Sequence, residues 1–344
     1  MRASGFVKVA AAAIGARRPL LVKSDPGVGK SSLVAVASLI SGADLLVSHP
    51  VVSDPTDAKG LPWIAANKSE ATFLPFGDLA QALRAKRETV WFLDDFGQAS
   101  PAVQASFMQL LLARRVNGHK LPDCVTFMAA TNLRTAGMGV SGMLEPVKSR
   151  FASIVTLDAH IDDWVEWAGG AGINETLIAY LRFDAGMLHV FEASSDMTNS
   201  PSPRTWANLS DVLSWGLTGS DEREAADGSV GEGAAGQFFA FREQVGHLPS
   251  VEKIMANPDS FDFHDTRPEV LYALVTTLSI RATRQTFGAV CQFAERLEAH
   301  GRGELSSLLM RDTFRRSPDL KATPEYAAIL TGPVGAIMSG SHIS

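Results

Sequence analysis

The fold class predicted by the sequence is α/β: an open parallel sheet covered by helices, followed by a half of the chain that is helical. Three observations predict it. The apolar run Pro19-Leu20-Leu21-Val22 passes through the glycine-bearing stretch Lys23 to Ser32 (KSDPGVGKSS) into the apolar-periodic Leu33-Val34-Ala35-Val36-Ala37, which reads as strand, loop and helix. The run Val90-Trp91-Phe92-Leu93 is apolar throughout, and a strand with no polar side chain is buried on both faces, as in a parallel sheet between helices. Strand and helix patterns alternate as far as residue 157, after which the strand pattern stops. A chain of 344 residues has room for two or three domains. The expected divisions are 1–158 for the sheet domain, 159–236 for a helical lid with a mobile loop, and 237–344 for a helical extension.

Taken in order, residues 3–16 form a short helix at the edge of the first domain. Strand one is 19–23, and the helix after the glycine loop runs to about residue 39, closed by Ser41-Gly42. Strand two is 44–48. Residues 51–60 (VVSDPTDAKG) are rich in turn formers and read as a polar loop. Within 61–74, Trp63-Ile64 and Thr72-Phe73 flank Ala65-Ala66-Asn67-Lys68 as a small hairpin would. Residues 78–87 are amphipathic and helical. Strand three is 89–93. Ser100 caps a helix with Pro101 in its first turn, and Val103, Phe107, Leu110 and Leu111 recur at helical spacing. Asn117-Gly118 is a turn signal before strand four, 125–130, which Thr131-Asn132 follows directly. A helix over 142–148 and strand five, 153–157, complete the alternation. Helices are then expected over 161–180, 204–215, 238–245, 268–300 and 304–314, and the Gly/Ser/Asp/Glu-rich 217–236 reads as a mobile loop.

Composition excludes several classes. The formal net charge of −6 supplies no global basic field toward nucleic acid or anionic membrane. No apolar stretch approaches the roughly 18 residues of a membrane helix, so a cytoplasmic protein is expected. Cys124 and Cys291 are too few and too far apart in sequence to suggest a disulfide framework or zinc site. His49 and His160 have no companions at metal-ligand spacing. Trp164 and Trp167 read as lid core, and Arg281, Arg284 and Arg296 as a solvated or salt-bridged stripe on one helix.

The chemistry concentrates in the glycine loop and at three strand ends. Gly27 and Gly29 let the backbone bend until successive N–H groups face one anion, and the helix starting near Lys30 adds its positive end. Lys30 would reach the β- and γ-phosphates of a nucleotide, and the Ser31 hydroxyl would hold Mg²⁺. The loop departs from G-x-x-x-x-G-K-[ST] in having Ser24 where glycine is usual. Strand three delivers Asp94 and Asp95 to the carboxyl edge of the sheet, where such folds bind ligands; Asp94 would orient Mg²⁺ and Asp95 would polarise a water. Asn132 is placed to hydrogen-bond a γ-phosphate or that water. Arg150 would stabilise phosphoryl charge in trans. Each has a plainer role as well: solvated charges ending a strand, a turn asparagine, an arginine closing a helix C-terminus.

Together these motifs resemble the AAA+ ATPases, and within them the MoxR branch with its CbbQ/NorQ-like members. The residues that carry the resemblance are SDPGVGKSS at 24–32, VWFLDDFGQAS at 90–100, AATN at 129–132, SRF at 149–151 and SPRTW at 202–206, so it spans about 15–215. It implies an AAA+ P-loop sheet of order 5-1-4-3-2 with a helical lid. It implies that Asp25, Pro26, Gly27, Val28, Gly29, Lys30, Ser31 and Ser32 hold ATP with Mg²⁺ at Ser31 and Asp94. It makes Asn132 sensor 1, Arg150 the arginine finger, and Arg204 the sensor 2 arginine. Residues 61–74 and 113–120 fall where MoxR-like proteins carry insertions; Trp63 and Ile64 would be either client contacts or a small local core. The resemblance further implies a homo-oligomeric, hexameric ring that remodels a client protein, often beside a partner with a von Willebrand factor A domain. Asp95 stands where most AAA+ proteins have glutamate, which keeps open a nucleotide-gated scaffold with slow hydrolysis; a DNA-directed motor subunit is the other alternative.

Overall fold

The computed structural model describes residues 1–344 apart from 65–69, 134–141, 192–196, 247–249, 265 and 341–344. The chain divides into two compact units, Met1–His160 with Phe191–Met197, and Ile161–Val190 with Thr198–Ser344.

In the first unit, α1 (Ala3–Gly15) precedes β1 (Leu20–Ser24), α2 (Lys30–Ile40) and β2 (Asp44–Ser48). Next come α3 (Pro55–Lys59), the hairpin strands β3 (Leu61–Ile64) and β4 (Ala71–Leu74), α4 (Gly77–Leu83) and β5 (Thr89–Leu93). The unit continues through α5 (Pro101–Ala113), the short pair β6 (Arg115–Val116) and β7 (His119–Lys120), β8 (Val125–Asn132), α6 (Glu145–Lys148) and β9 (Ser153–Thr156). The order β2-β5-β8-β1-β9, parallel throughout, is 5-1-4-3-2 in the five main strands, the order that the resemblance implies. The first unit has the fold of the AAA+ P-loop NTPases.

Alternating faces of the apolar strands explain why this sheet has helices on both sides. Val90 and Phe92 of β5 pack with Phe6, Ile14 and Val34 from α1 and α2. Trp91 and Leu93, pointing the other way, pack with Phe96, Phe107 and Leu110. Each fully buried side chain of this size contributes about 1.5–3 kcal/mol of transfer free energy. Trp91 stacks on Phe127 at 5.2 Å between ring centroids, and its indole N–H, which would otherwise be buried unpaired, donates to Ser48 Oγ at 2.7 Å.

The second unit is helical: α7 (Ile161–Gly170), α8 (Glu175–Phe183), α9 (Pro203–Leu213), α10 (Gly219–Val230), α11 (Glu232–Val245), α12 (Val251–Ala256), α13 (Pro268–Arg281), α14 (Phe287–Ala299), α15 (Gly303–Arg316), α16 (Pro324–Leu330) and α17 (Pro333–Gly340). Leu271, Leu274, Phe287, Phe293, Leu309 and Phe314 are at its core.

Several elements depart from expectation for identifiable reasons. The supposed polar loop at 51–60 contains α3, because Asp54 and Asp57 form a reciprocal capping box and Pro55 opens the helix. The supposed mobile loop at 217–236 is α10 and the start of α11; the small residues Ala226, Val230 and Ala235 are buried, and Arg242 clasps Glu222 at 2.6 and 2.7 Å. The helix expected over 268–300 is two, since Thr283 and Thr286 trade side-chain and backbone hydrogen bonds that compete with the helical ladder. Helix 161–180 likewise divides near Gly172, and Asn174 caps α8. The helix read over 78–87 stops at Leu83. Arg281 and Arg296 therefore lie on different helices, and all three arginines of the supposed stripe are ion-paired. Trp164 is core, whereas Trp167 is half-exposed. Cys291 is buried in the second unit's core, and burial pushes its thiol up to about 12.

Candidate active site

The site is built where β1, β5 and β8 end side by side. β1 pairs with β8 so that Ser24 lies opposite Asn132, and Leu133 N–H donates back to Ser24 O at 3.0 Å. β8 thus runs two residues beyond the expected strand, and that extension carries Asn132 to the glycine loop. In the loop, Gly27 and Gly29 have φ of 77° and 99°. A Cβ on Gly29 would meet nothing within 4 Å, so glycine is required there by backbone conformation rather than by space. α2 begins at Lys30 with no side-chain cap, leaving its first N–H groups for an external acceptor.

Lys30 is only 7% exposed, and a buried ammonium needs acceptors. It donates to Asn132 Oδ1 at 2.6 Å, Ser24 Oγ at 3.0 Å and Asp25 O at 3.2 Å. Ser24, which the loop pattern marks as a departure, is therefore part of the lysine's cradle. Its role escaped the sequence because the pattern says only what is usual at that position.

The carboxylates sit one strand away. Leu93 is opposite Ser48 in register, and Asp94 N–H donates to Ser48 O at 2.9 Å, which anchors the chain as it leaves β5. Asp94 Oδ2 accepts from Ser31 Oγ at 2.7 Å. Asp95 adopts the left-handed conformation with φ of 53°, uncommon for a side-chain-bearing residue though tolerated by aspartate. Its Oδ1 accepts from Gln98 Nε2 at 3.0 Å. Gln98 belongs to the 3-10 turn Phe96–Gln98 and had no assigned role in the sequence reading.

Lys30, Ser31, Asp94 and Asn132 are thus brought together by direct contacts, with Asp95 beside them. Arg150 follows α6 in the same unit and is half-buried. Its Nη1 is 3.5 Å from Ser149 Oγ, and its Nε is buried without a hydrogen-bond partner. Arg204 is exposed in the first turn of α9, in the second unit. Trp63 and Ile64 are 62% and 68% exposed, so they form no local core; residues 65–69 of that hairpin lie outside the described residues. The β6–β7 hairpin supports it from below: Asn117 Nδ2 donates to Lys59 O at 2.8 Å, and His119 Nε2 lies 3.0 Å from Phe73 O.

The donor set suits a magnesium nucleotide. Ser31 Oγ and Asp94 Oδ2 are hard oxygen donors within one hydrogen bond of each other, and Mg²⁺ uses one or two such protein ligands together with phosphate oxygens and water. Among the described residues, no group of three or more His, Cys, Asp or Glu side chains is placed to hold a metal alone. None of the described helices is long and apolar enough to cross a membrane.

No known family profile matches the chain. It is 28% identical over 164 residues to Midasin of Giardia intestinalis, a match that covers 45% of this chain and 3% of that much longer protein. Among solved structures it is similar to the Thermotoga maritima RuvB Holliday junction branch migration motor (17% identity, 80% of each chain, TM-score 0.40). It is also similar to NtrX of Brucella abortus in complex with ADP (18% identity, 89% of this chain and 68% of that one, TM-score 0.43). A putative ATPase of Cytophaga hutchinsonii aligns at 11% identity over 90% and 88% of the two chains, with a TM-score of 0.35. Likenesses this distant add nothing to the strand order and the site contacts already described.

Proposed function

We propose that the chain is an AAA+ ATPase of MoxR-like type, which hydrolyses ATP at the subunit interfaces of a ring and uses the cycle to remodel or activate a client protein. The observation that carries this reading is the direct contact of the loop's two functional side chains with the strand-end residues a nucleotide site needs: Lys30 with Asn132, and Ser31 with Asp94.

In this reading the backbone N–H groups of Gly27 to Ser32 cradle the phosphates, with Asp25 and Pro26 shaping the turn, and Lys30 turns its ammonium to them. Ser31 and Asp94 would hold Mg²⁺, which when bound neutralises charge developing on the phosphates. Asp95 polarises the attacking water, and Asn132 orients it or contacts the γ-phosphate. Arg150 serves a neighbouring subunit's nucleotide through its guanidinium. Arg204 contacts nucleotide from the helical lid. A partner with a von Willebrand factor A domain and a hexameric ring belong to the same proposal, as do cytoplasmic location and the domain limits 1–158, 159–236 and 237–344.

The test is complementation. Lys30→Ala removes nucleotide from its own site, and Arg150→Ala removes only the finger offered to the next. Each variant alone should be inactive, with Arg150→Ala still binding ATP, and mixing the two should restore part of the activity. Full turnover by Arg150→Ala alone contradicts the trans role.

A further inference from the structure

We propose that Gln98 is the positioning residue for the Asp95 carboxylate, with Thr131 as its brace on the strand that carries Asn132. This deepens the hydrolytic reading and rests on it.

Asp95 is short, and rotation about two bonds would sweep its carboxylate over a wide arc. One oxygen is fixed: Gln98 Nε2 donates to Asp95 Oδ1 at 3.0 Å. Because a carboxylate oxygen only accepts, the amide must present its nitrogen to Asp95 and its oxygen elsewhere. That oxygen is met by Thr131 Oγ1 at 3.3 Å, a hydroxyl whose single proton is shared with Asn132 O at 3.2 Å. The backbone reinforces the geometry, since Gln98 N–H donates to Asp95 O at 2.9 Å and closes the turn. The turn is also seated hard on β8: a Cβ on Gly97 would come within 2.0 Å of Thr131 Oγ1, a separation that only glycine permits.

The consequence is a polar path from Asp95 through Gln98 and Thr131 to the backbone carbonyl of Asn132, whose side-chain Oδ1 accepts from Lys30. Gln98 occupies Oδ1 and leaves Oδ2 as the acceptor for a water. A glutamate at position 95 would reach further without such an aid; an aspartate held from the side has its direction set by Gln98.

Steady-state ATP turnover and nucleotide binding of wild type, Gln98→Met, Thr131→Val and Thr131→Ser, with Gln98→Met repeated in an Asp95→Ala background, test the proposal. Gln98→Met keeps the shape and removes the donor, so kcat should fall about tenfold, as expected for a lost hydrogen bond to a charged group, while KM and ATP affinity stay within about twofold. Thr131→Val should lower kcat by a smaller factor, and Thr131→Ser should restore it. In the Asp95→Ala background, Gln98→Met should cost nothing further, because residues acting as a unit are non-additive. An active wild type with Gln98→Met unchanged in kcat overturns the positioning role alone. So does a fall in kcat accompanied by equal weakening of nucleotide binding, or one that persists undiminished without Asp95. A wild type that binds ATP but never turns it over removes the hydrolytic reading, and the role of Gln98 with it.

Discussion

One cluster of charged and polar side chains stands at the carboxyl edge of the sheet and another inside the helical unit, and different pairs of groups build them. In the helical unit, Arg182 of α8 is almost wholly buried and donates to Asp162 Oδ1 at 2.5 Å and to both oxygens of Asp312 at 2.8 Å. Arg311 and Arg315 lie 3.5 and 4.0 Å from the same Asp162 oxygen. Charge meets counter-charge, and the cluster ties α7, α8 and α15 together. At the sheet edge, Lys30 is as buried as Arg182 and donates to a hydroxyl, a carbonyl and an amide oxygen. These bonds place the ammonium beside the glycine loop, where a phosphate would add charge-assisted hydrogen bonds to it. The difference separates a cluster that holds helices together from one gathered at the glycine loop and the strand ends.

Perturbing each cluster should therefore affect different properties. The largest stability effect is expected from Asp312→Ala, which leaves the buried Arg182 short of a partner and should cost about 3–5 kcal/mol. Chemical denaturation would show it as a lowered midpoint, while ATP binding to the folded protein changes little. Acid gives a smaller effect in the same cluster. Burial pushes the Asp162 carboxyl up, but the hydrogen bond and charge of Arg182, with the charges of Arg311 and Arg315, outweigh it and hold the group at about 2. A carboxyl that titrates lower folded than unfolded stabilises the fold above the ordinary carboxylate range. That stabilisation, on the order of 2 kcal/mol, should drain away between about pH 4 and pH 2, and Asp162→Asn should lack this part of the acid transition. The smallest effect is expected at the other cluster: Ser24→Gly removes a hydroxyl acceptor from Lys30, worth about 1 kcal/mol. ATP affinity should move by less than about tenfold, with the denaturation midpoint barely altered.

What was legible in the sequence follows the range of the interactions involved. β2 and β5 were read to the residue, because their apolar runs are bounded by turn formers; β5 is buried throughout, whereas β2 is largely exposed. The loop at Lys30 and the Asp94-Asp95 strand end were legible for the same reason, since strand, turn and helix signals lie within about fifteen residues of one another. Ser24, Gln98 and Thr131 were not, because their roles are contacts across strands: Ser24 matters through Lys30 and its register with Asn132, and Gln98 through a turn pressed onto β8. α3 and α10 were missed for a different reason. They are held by capping, ion pairs and a few buried alanines, not by an apolar stripe, so hydrophobic periodicity had nothing to detect.

The central claim is that the buried ammonium of Lys30 binds the phosphates of ATP. ATP binding by calorimetry to wild type and Lys30→Ala, each checked by denaturation for an intact fold, tests it most directly. Wild type should bind ATP, and Lys30→Ala should fold with a similar midpoint and lose at least about a hundredfold in affinity, the scale of a charge-assisted contact. A folded Lys30→Ala variant that binds ATP as tightly as wild type would contradict the claim.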